Sequence, residues 1–164
     1  MHRLILLRHG KAESVSATGG DFDRGLTERG RRDSALIGRV LAEAGVKPDL
    51  VLVSAARRTQ ETWDELARAF PDTHVEVSRQ LYLASCEQLE AAVDPIPERL
   101  DVMIVGHNPG LHEFALALAR RADVRAHRLD SFPTAAAAVF RIDGEGEVAL
   151  EGLYLPREHG GGPT

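Results

Sequence analysis

Two histidines and a few arginines carry the clearest chemistry in the sequence, and they recur in similar surroundings. Leu7-Arg8-His9-Gly10 sets a guanidinium beside an imidazole and follows them with a residue that permits a tight turn. Ser54-Ala55-Ala56-Arg57-Arg58-Thr59 offers two more guanidiniums, and Gly106-His107-Asn108-Pro109-Gly110 a second imidazole. A phosphoryl group in transfer spreads negative charge over three equatorial oxygens, so it needs fixed cations and donors around it and a nucleophile in line. Arginine supplies permanently charged forks for those oxygens. A neutral histidine can serve as nucleophile, dividing hydrolysis into two easier steps. The backbone N–H groups of Asn108 to Leu111 and of 57–60 open helices and add donors.

Each of these places follows a predicted strand. Arg3 to Leu7, Leu50 to Ser54 and Asp101 to Gly106 are short, nearly continuous apolar runs, the pattern of strands buried on both faces of a parallel sheet. Helical stripes follow them. Thr27 caps a helix with Leu36, Ile37, Val40, Leu41 and Ala44 on one face, stopped by Gly45 and Pro48. Trp63, Leu66, Ala67 and Phe70 form a second stripe before Pro71, and Leu111, Phe114, Ala115, Leu118 and Ala119 a third. A strand over 75–77 and a short helix from Cys86 to Val93 fill the middle, and Ala137 to Ile142 with Val148 to Leu155 read as a closing hairpin. The alternation predicts an α/β three-layer sandwich, a mostly parallel mixed sheet with helices on both faces. Ligands of such sheets sit beyond the carboxyl ends of the strands, which gathers the three loaded segments into one site.

Bulk properties narrow the field. The 164 residues suit a single domain over 1–158, with 159–164 expected as a flexible tail rich in glycine. A net charge of −5 argues against a broad nucleic-acid or anionic-membrane footprint. The basic positions Arg120, Arg121 and 125–128 read as a solvated face. Cys86 is the single cysteine, so no internal disulfide forms, and the apolar run after Met1 is too short for a signal peptide or a membrane span. A cytoplasmic location is expected. His112-Glu113 lacks the second histidine of a zinc helix, so no metal is expected.

Read in order, Leu6-Leu7-Arg8-His9-Gly10-Lys11-Ala12-Glu13, Asp23 to Gly30, Ser54 to Thr62, Leu81-Tyr82-Leu83-Ala84 and Gly106 to Gly110 resemble the histidine phosphatase superfamily, and within it the short SixA-type phosphohistidine phosphatase branch. The resemblance spans nearly the whole chain and implies a phosphoglycerate mutase-like fold without a cofactor. It implies His9 as the phosphorylated nucleophile, Arg8 and Arg58 as phosphate ligands, and His107 as a hydrogen-bonding partner of the transferred group. It selects Arg58 over Arg57, and Asn108 joins the substrate-binding set. Asp23 and Arg24 are expected to pin the first loop as an ion pair.

Two departures from the wider superfamily bear on substrate. The asparagine that its mutases carry after the Arg-His-Gly block is missing, the stretch reading Lys11-Ala12-Glu13-Ser14-Val15. Their mid-chain acid has no clear counterpart; Glu87 is the best candidate, with Asp21 and Glu13 in reserve. An alkoxide leaving group benefits from a proton donor, whereas the imidazole of a phosphohistidine can depart already protonated. The expected substrate is therefore a phosphorylated one, a phosphohistidine-bearing protein ahead of a sugar or nucleotide monoester. A noncatalytic phosphate-binding module is the reading from a different class.

Overall fold

The computed structural model describes residues 2–123 and 126–163. Six strands form one mixed sheet: β1 (His2–Arg8), β2 (Leu50–Ser54), β3 (His74–Ser78), β4 (Val102–Gly106), β5 (Ala137–Ile142) and β6 (Val148–Tyr154). Their spatial order is β3-β2-β4-β1-β5-β6. Strands β3, β2, β4 and β1 run parallel, and β5 and β6 add antiparallel to the side of β1.

Period-two alternation divides the strand side chains between two cores. Leu4, Leu6, Leu52, Ile104 and Phe140 face one layer, with α3 (Cys86–Val93) and α4 (Gly110–Arg121). Ile5, Leu7, Val53, Met103 and Val105 face the other, with α1 (Glu28–Glu43) and α2 (Arg57–Leu66). Both faces being covered is why β2 and β4 read as unbroken apolar runs, every residue buried. The three-layer α/β architecture expected from the sequence is the one observed.

Local signals fix the helix ends. Thr27 accepts the Gly30 N–H at 3.0 Å, and Ser85 with Gln88 forms a capping box at α3. Of the α1 stripe, Ile37 and Leu41 are fully buried while Ala44 lies exposed at the cap, and Asp33 and Ser34 join the buried side. Helix α2 ends at Leu66, and its stripe continues through a 3₁₀ turn at Ala67–Ala69 to buried Phe70.

The carboxy-terminal segment is tied to α1. Gly161 N–H donates to the Pro156 carbonyl at 2.8 Å and Gly162 N–H to the buried Asp33 carboxylate at 3.0 Å. Gly162, within the 159–164 segment expected as a loose tail, is thus bonded to the acceptor that α1 presents; Thr164 lies outside the described residues. Of the basic positions expected on a solvated face, Arg121 reaches the Gly146 carbonyl and Arg128 pairs with Glu158, while Arg125 falls outside the described residues. Among the described residues no helix is long and apolar enough to cross a membrane.

Candidate active site

Three adjacent parallel strands end at one edge of the sheet. Arg8 and Gly106 are register partners there, and Ser54 closes β2 on the far side of β4. The sheet order therefore sets His9, just past β1, beside His107, just past β4, with ring centroids 5.4 Å apart. These two histidines, Arg8, Arg58, Asn108 and Asp21 line a cleft of about 360 Å³, with Lys11 and Leu83 among the residues at its wall.

His9 is held at both ends. Its backbone N–H donates to the Gly106 carbonyl at 3.1 Å, and its Nδ1 lies 2.7 Å from the Gly10 carbonyl oxygen. A carbonyl only accepts, so Nδ1 carries the proton and Nε2 keeps its lone pair. Burial pushes the imidazole down to about 4, aided by the positive charges of Arg8, Arg58 and Arg24 and opposed by the Gly10 bond. The ring is a neutral base at neutral pH. Glycine is required beside it: a Cβ on Gly10 would stand 2.5 Å from the Gly30 carbonyl oxygen, and one on Gly30 2.1 Å from that of Lys11.

The two expected arginines reach the cleft by different routes. Arg8 Nη1 donates to the Phe132 carbonyl at 3.1 Å, the same oxygen that accepts Asn108 Nδ2 at 2.8 Å. Burial, and then Arg58, lower the affinity of Arg8 for its proton. Arg58 is 2% exposed and bonds Asp21 twice, Nη1 to the backbone oxygen at 2.8 Å and Nη2 to Oδ2 at 3.0 Å. Arg57 is half exposed and pairs with Glu61 along the outside of α2. His107 Nε2 lies 2.7 Å from Ser54 Oγ, and burial pushes this ring down to about 3, with His9 and Arg58 contributing.

Four buried side-chain polar atoms of this cleft, Arg8 Nε, Arg58 Nε, His107 Nδ1 and Asn108 Oδ1, have no hydrogen-bond partner among the described residues. Native interiors seldom leave such groups unpaired. Three of the four belong to groups suited to an anion, which fits a phosphoryl site.

Glu87, the expected acid, stands away from the cleft. Glu87 is exposed in the first turn of α3 and does not line the cleft, because the Ser85 cap starts the helix with that side chain facing solvent. Glu13 is likewise absent from the wall, and Asp21 is the one carboxylate among the described lining residues. Asp21 accepts from Tyr82 Oη, from Arg24 Nη2 at 2.8 Å and from Arg58, and these donors hold its carboxyl far below the usual range. The ion pair of the first loop is accordingly Asp21 with Arg24; Asp23 instead accepts from Thr18. Neither Asp21 nor Tyr82 lies on a strand or α-helix, and the sequence signals for this corner are the Tyr82 block and the loop carboxylate of Asp21, a reserve acid. Among the described residues no group of three or more His, Cys, Asp or Glu is placed to hold a metal ion.

The family model of the histidine phosphatase superfamily (branch 1) matches residues 4–82, the span that carries Arg8, His9 and Arg58. An Agrobacterium tumefaciens structure provisionally described as the phosphohistidine phosphatase SixA is 31% identical, covers 94% of this chain and 98% of its own, and superposes with a TM-score of 0.85. The chain belongs to the histidine phosphatase superfamily. An uncharacterised chloroplastic protein of Arabidopsis thaliana is 30% identical over 94% of this phosphatase and 78% of its own length. The protein histidine phosphatase SixA complexed with tungstate shares the fold at a TM-score of 0.80 and 22% identity, covering 95% of this chain and 98% of that one.

Proposed function

We propose that this phosphatase removes the phosphoryl group from phosphohistidine in a protein partner of the cytoplasm, through a covalent intermediate on His9 Nε2. Asp21 is the observation that carries the choice of substrate. As the cleft carboxylate it is fully engaged by Arg58, Arg24 and Tyr82 and held ionised, so it has no proton to give a departing alkoxide. A phosphohistidine ring protonated on its other nitrogen leaves as neutral imidazole without such a donor.

In this reading the His9 Nε2 lone pair forms a bond to phosphorus while the substrate N–P bond breaks, its electron pair passing to the substrate imidazole. Arg8, Arg58 and His107 hold the equatorial oxygens, with Asn108 beside them. Water then attacks the phosphorus of phospho-His9. The Nε2–P pair returns to the ring, and the proton of the water goes to the departing phosphate.

Rapid quench with a ³²P-labelled phosphohistidine protein domain tests both claims. Label trapped on the wild type and absent from His9→Ala supports the intermediate. Turnover of an alkyl monoester such as glucose 6-phosphate at an equal or higher rate would overturn the substrate assignment in favour of a small-molecule phosphomonoesterase.

A further inference from the structure

His107 can help a phosphoryl group only if the nitrogen it turns toward that group carries a proton, since phosphoryl oxygens accept and do not donate. The ring offers two nitrogens. Nε2 lies 2.7 Å from Ser54 Oγ, whereas Nδ1 is buried without a partner among the described residues. Both members of the pair are deeply buried, Ser54 completely and His107 at 3% exposure, so solvent does not decide which of them donates.

Hydrogen-bond accounting decides it. Ser54 Oγ has one hydrogen to give, and among the described residues its possible acceptor is His107 Nε2; the Ala56 N–H, at 3.4 Å, points a donor at the same oxygen. Were Nε2–H the donor, Ser54 would face two N–H groups with its own hydrogen unplaced, and Nδ1 would be a bare lone pair turned from any donor. With Ser54 O–H donating, every group of the pair is satisfied except Nδ1–H, a buried donor of a residue that lines the anion-suited cleft.

We propose that Ser54 is a positioning residue, its buried hydroxyl donating to His107 Nε2 and so fixing the ring with its proton on Nδ1, where it can donate to the phosphoryl group. The inference rests on the proposed phosphoryl role of His107. Ser54 then does for His107 what the Gly10 carbonyl does for His9. Both rings carry the proton on Nδ1, but His9 leaves a bare Nε2 to attack while His107 leaves an N–H to donate. The parallel register puts the device in place, because β2 and β4 are neighbours whose carboxyl ends lie side by side.

Long-range ¹H–¹⁵N correlation spectra of histidine-labelled wild-type enzyme at pH 7 read the tautomer directly. The Nδ1–H form is expected for His107, giving way to a mixture or to Nε2–H in Ser54→Ala and returning in Ser54→Thr. In parallel, Ser54→Ala is expected to lower kcat and kcat/KM together by roughly tenfold with KM little changed, the signature of a donor used in the transition state. An Nε2–H wild-type ring, or a Ser54→Ala spectrum unchanged from wild type, would overturn the proposal; the wild-type spectrum decides even if the variant fails to fold. An Nδ1–H ring in a protein that never labels His9 would instead sink the phosphatase reading and leave the Ser54 assignment standing.

Discussion

Thr62 Oγ1 accepts the Gly10 N–H at 3.0 Å, and the same hydroxyl donates to the Arg58 carbonyl at 2.7 Å. A fully buried side chain on α2 thus holds the N–H of Gly10, the residue whose carbonyl orients His9. Thr62→Val keeps the shape and leaves the Gly10 N–H buried and unpaired. The expected loss is about 1–3 kcal/mol in urea denaturation. Labelling of His9 should slow roughly tenfold, because the nucleophile loses its alignment. Thr62→Ser should restore both, and a Thr62→Val enzyme that labels at the wild-type rate would show the bond to be incidental.

Stability should fall with acid before any cleft carboxylate titrates. In the unfolded chain a histidine takes up a proton near 6.5, whereas His9 is held down to about 4 and His107 to about 3. Between those values the unfolded state binds more protons, so stability rises with pH and is lost as pH falls below about 6.5. Each ring should cost about 2 kcal/mol at pH 5 relative to pH 8. Urea denaturation at the two pH values measures the difference, and His9→Asn should shrink it by about one such share.

Asp21 puts a negative charge beside the arginine expected to bind phosphate. Its side chain is about half exposed, which screens the repulsion, and Arg58 keeps a second bond to the Asp21 backbone oxygen at 2.8 Å. Asp21→Asn should therefore tighten competitive inhibition by inorganic phosphate several-fold while phosphohistidine turnover stays within about tenfold of wild type. A loss of a hundredfold or more would mark Asp21 as the missing proton donor.

Gly110 and Gly30, like Gly10, are fixed by space alone. A Cβ on Gly110 would stand 1.9 Å from the Ala84 carbonyl oxygen, and one on Gly30 2.1 Å from that of Lys11. Backbone oxygens cannot step aside as a side chain can. Gly110→Ala and Gly30→Ala should each cost about 3 kcal/mol or more, read as a lowered urea midpoint. Gly45→Ala, with nothing within 4 Å but a φ of +83°, should cost only about 1 kcal/mol for its left-handed backbone.

Deleting residues 160–164 removes the Gly162 N–H from the buried Asp33 carboxylate and leaves Arg29 Nε, at 3.3 Å, as its remaining side-chain partner. The expected cost is about 1–3 kcal/mol in thermal or urea unfolding, with His9 labelling unchanged. An unaltered midpoint would return this segment to the status of a loose tail.

The amino-acid order by itself determined the elements and the residues that follow them. A strand buried on both faces must be apolar throughout, so Leu4 to Leu7, Leu50 to Val53 and Val102 to Val105 stand out, and the rule of strand ends singles out His9, the Arg57-Arg58 pair and His107. Only the tertiary structure decided how those residues meet. Ser54 and His107 are separated by 53 positions, and Asp21 reaches Arg58 across 37 and Tyr82 across 61. No period links such pairs, since Asp21 opens a single 3₁₀ turn and Tyr82 lies just past another. Glu87 ranked ahead of Asp21 in the sequence because a carboxylate in a short segment announces its chemistry but not its direction. That direction was set by the Ser85 cap, which turned Glu87 outward, and by the fold of the first loop, which brought Asp21 in.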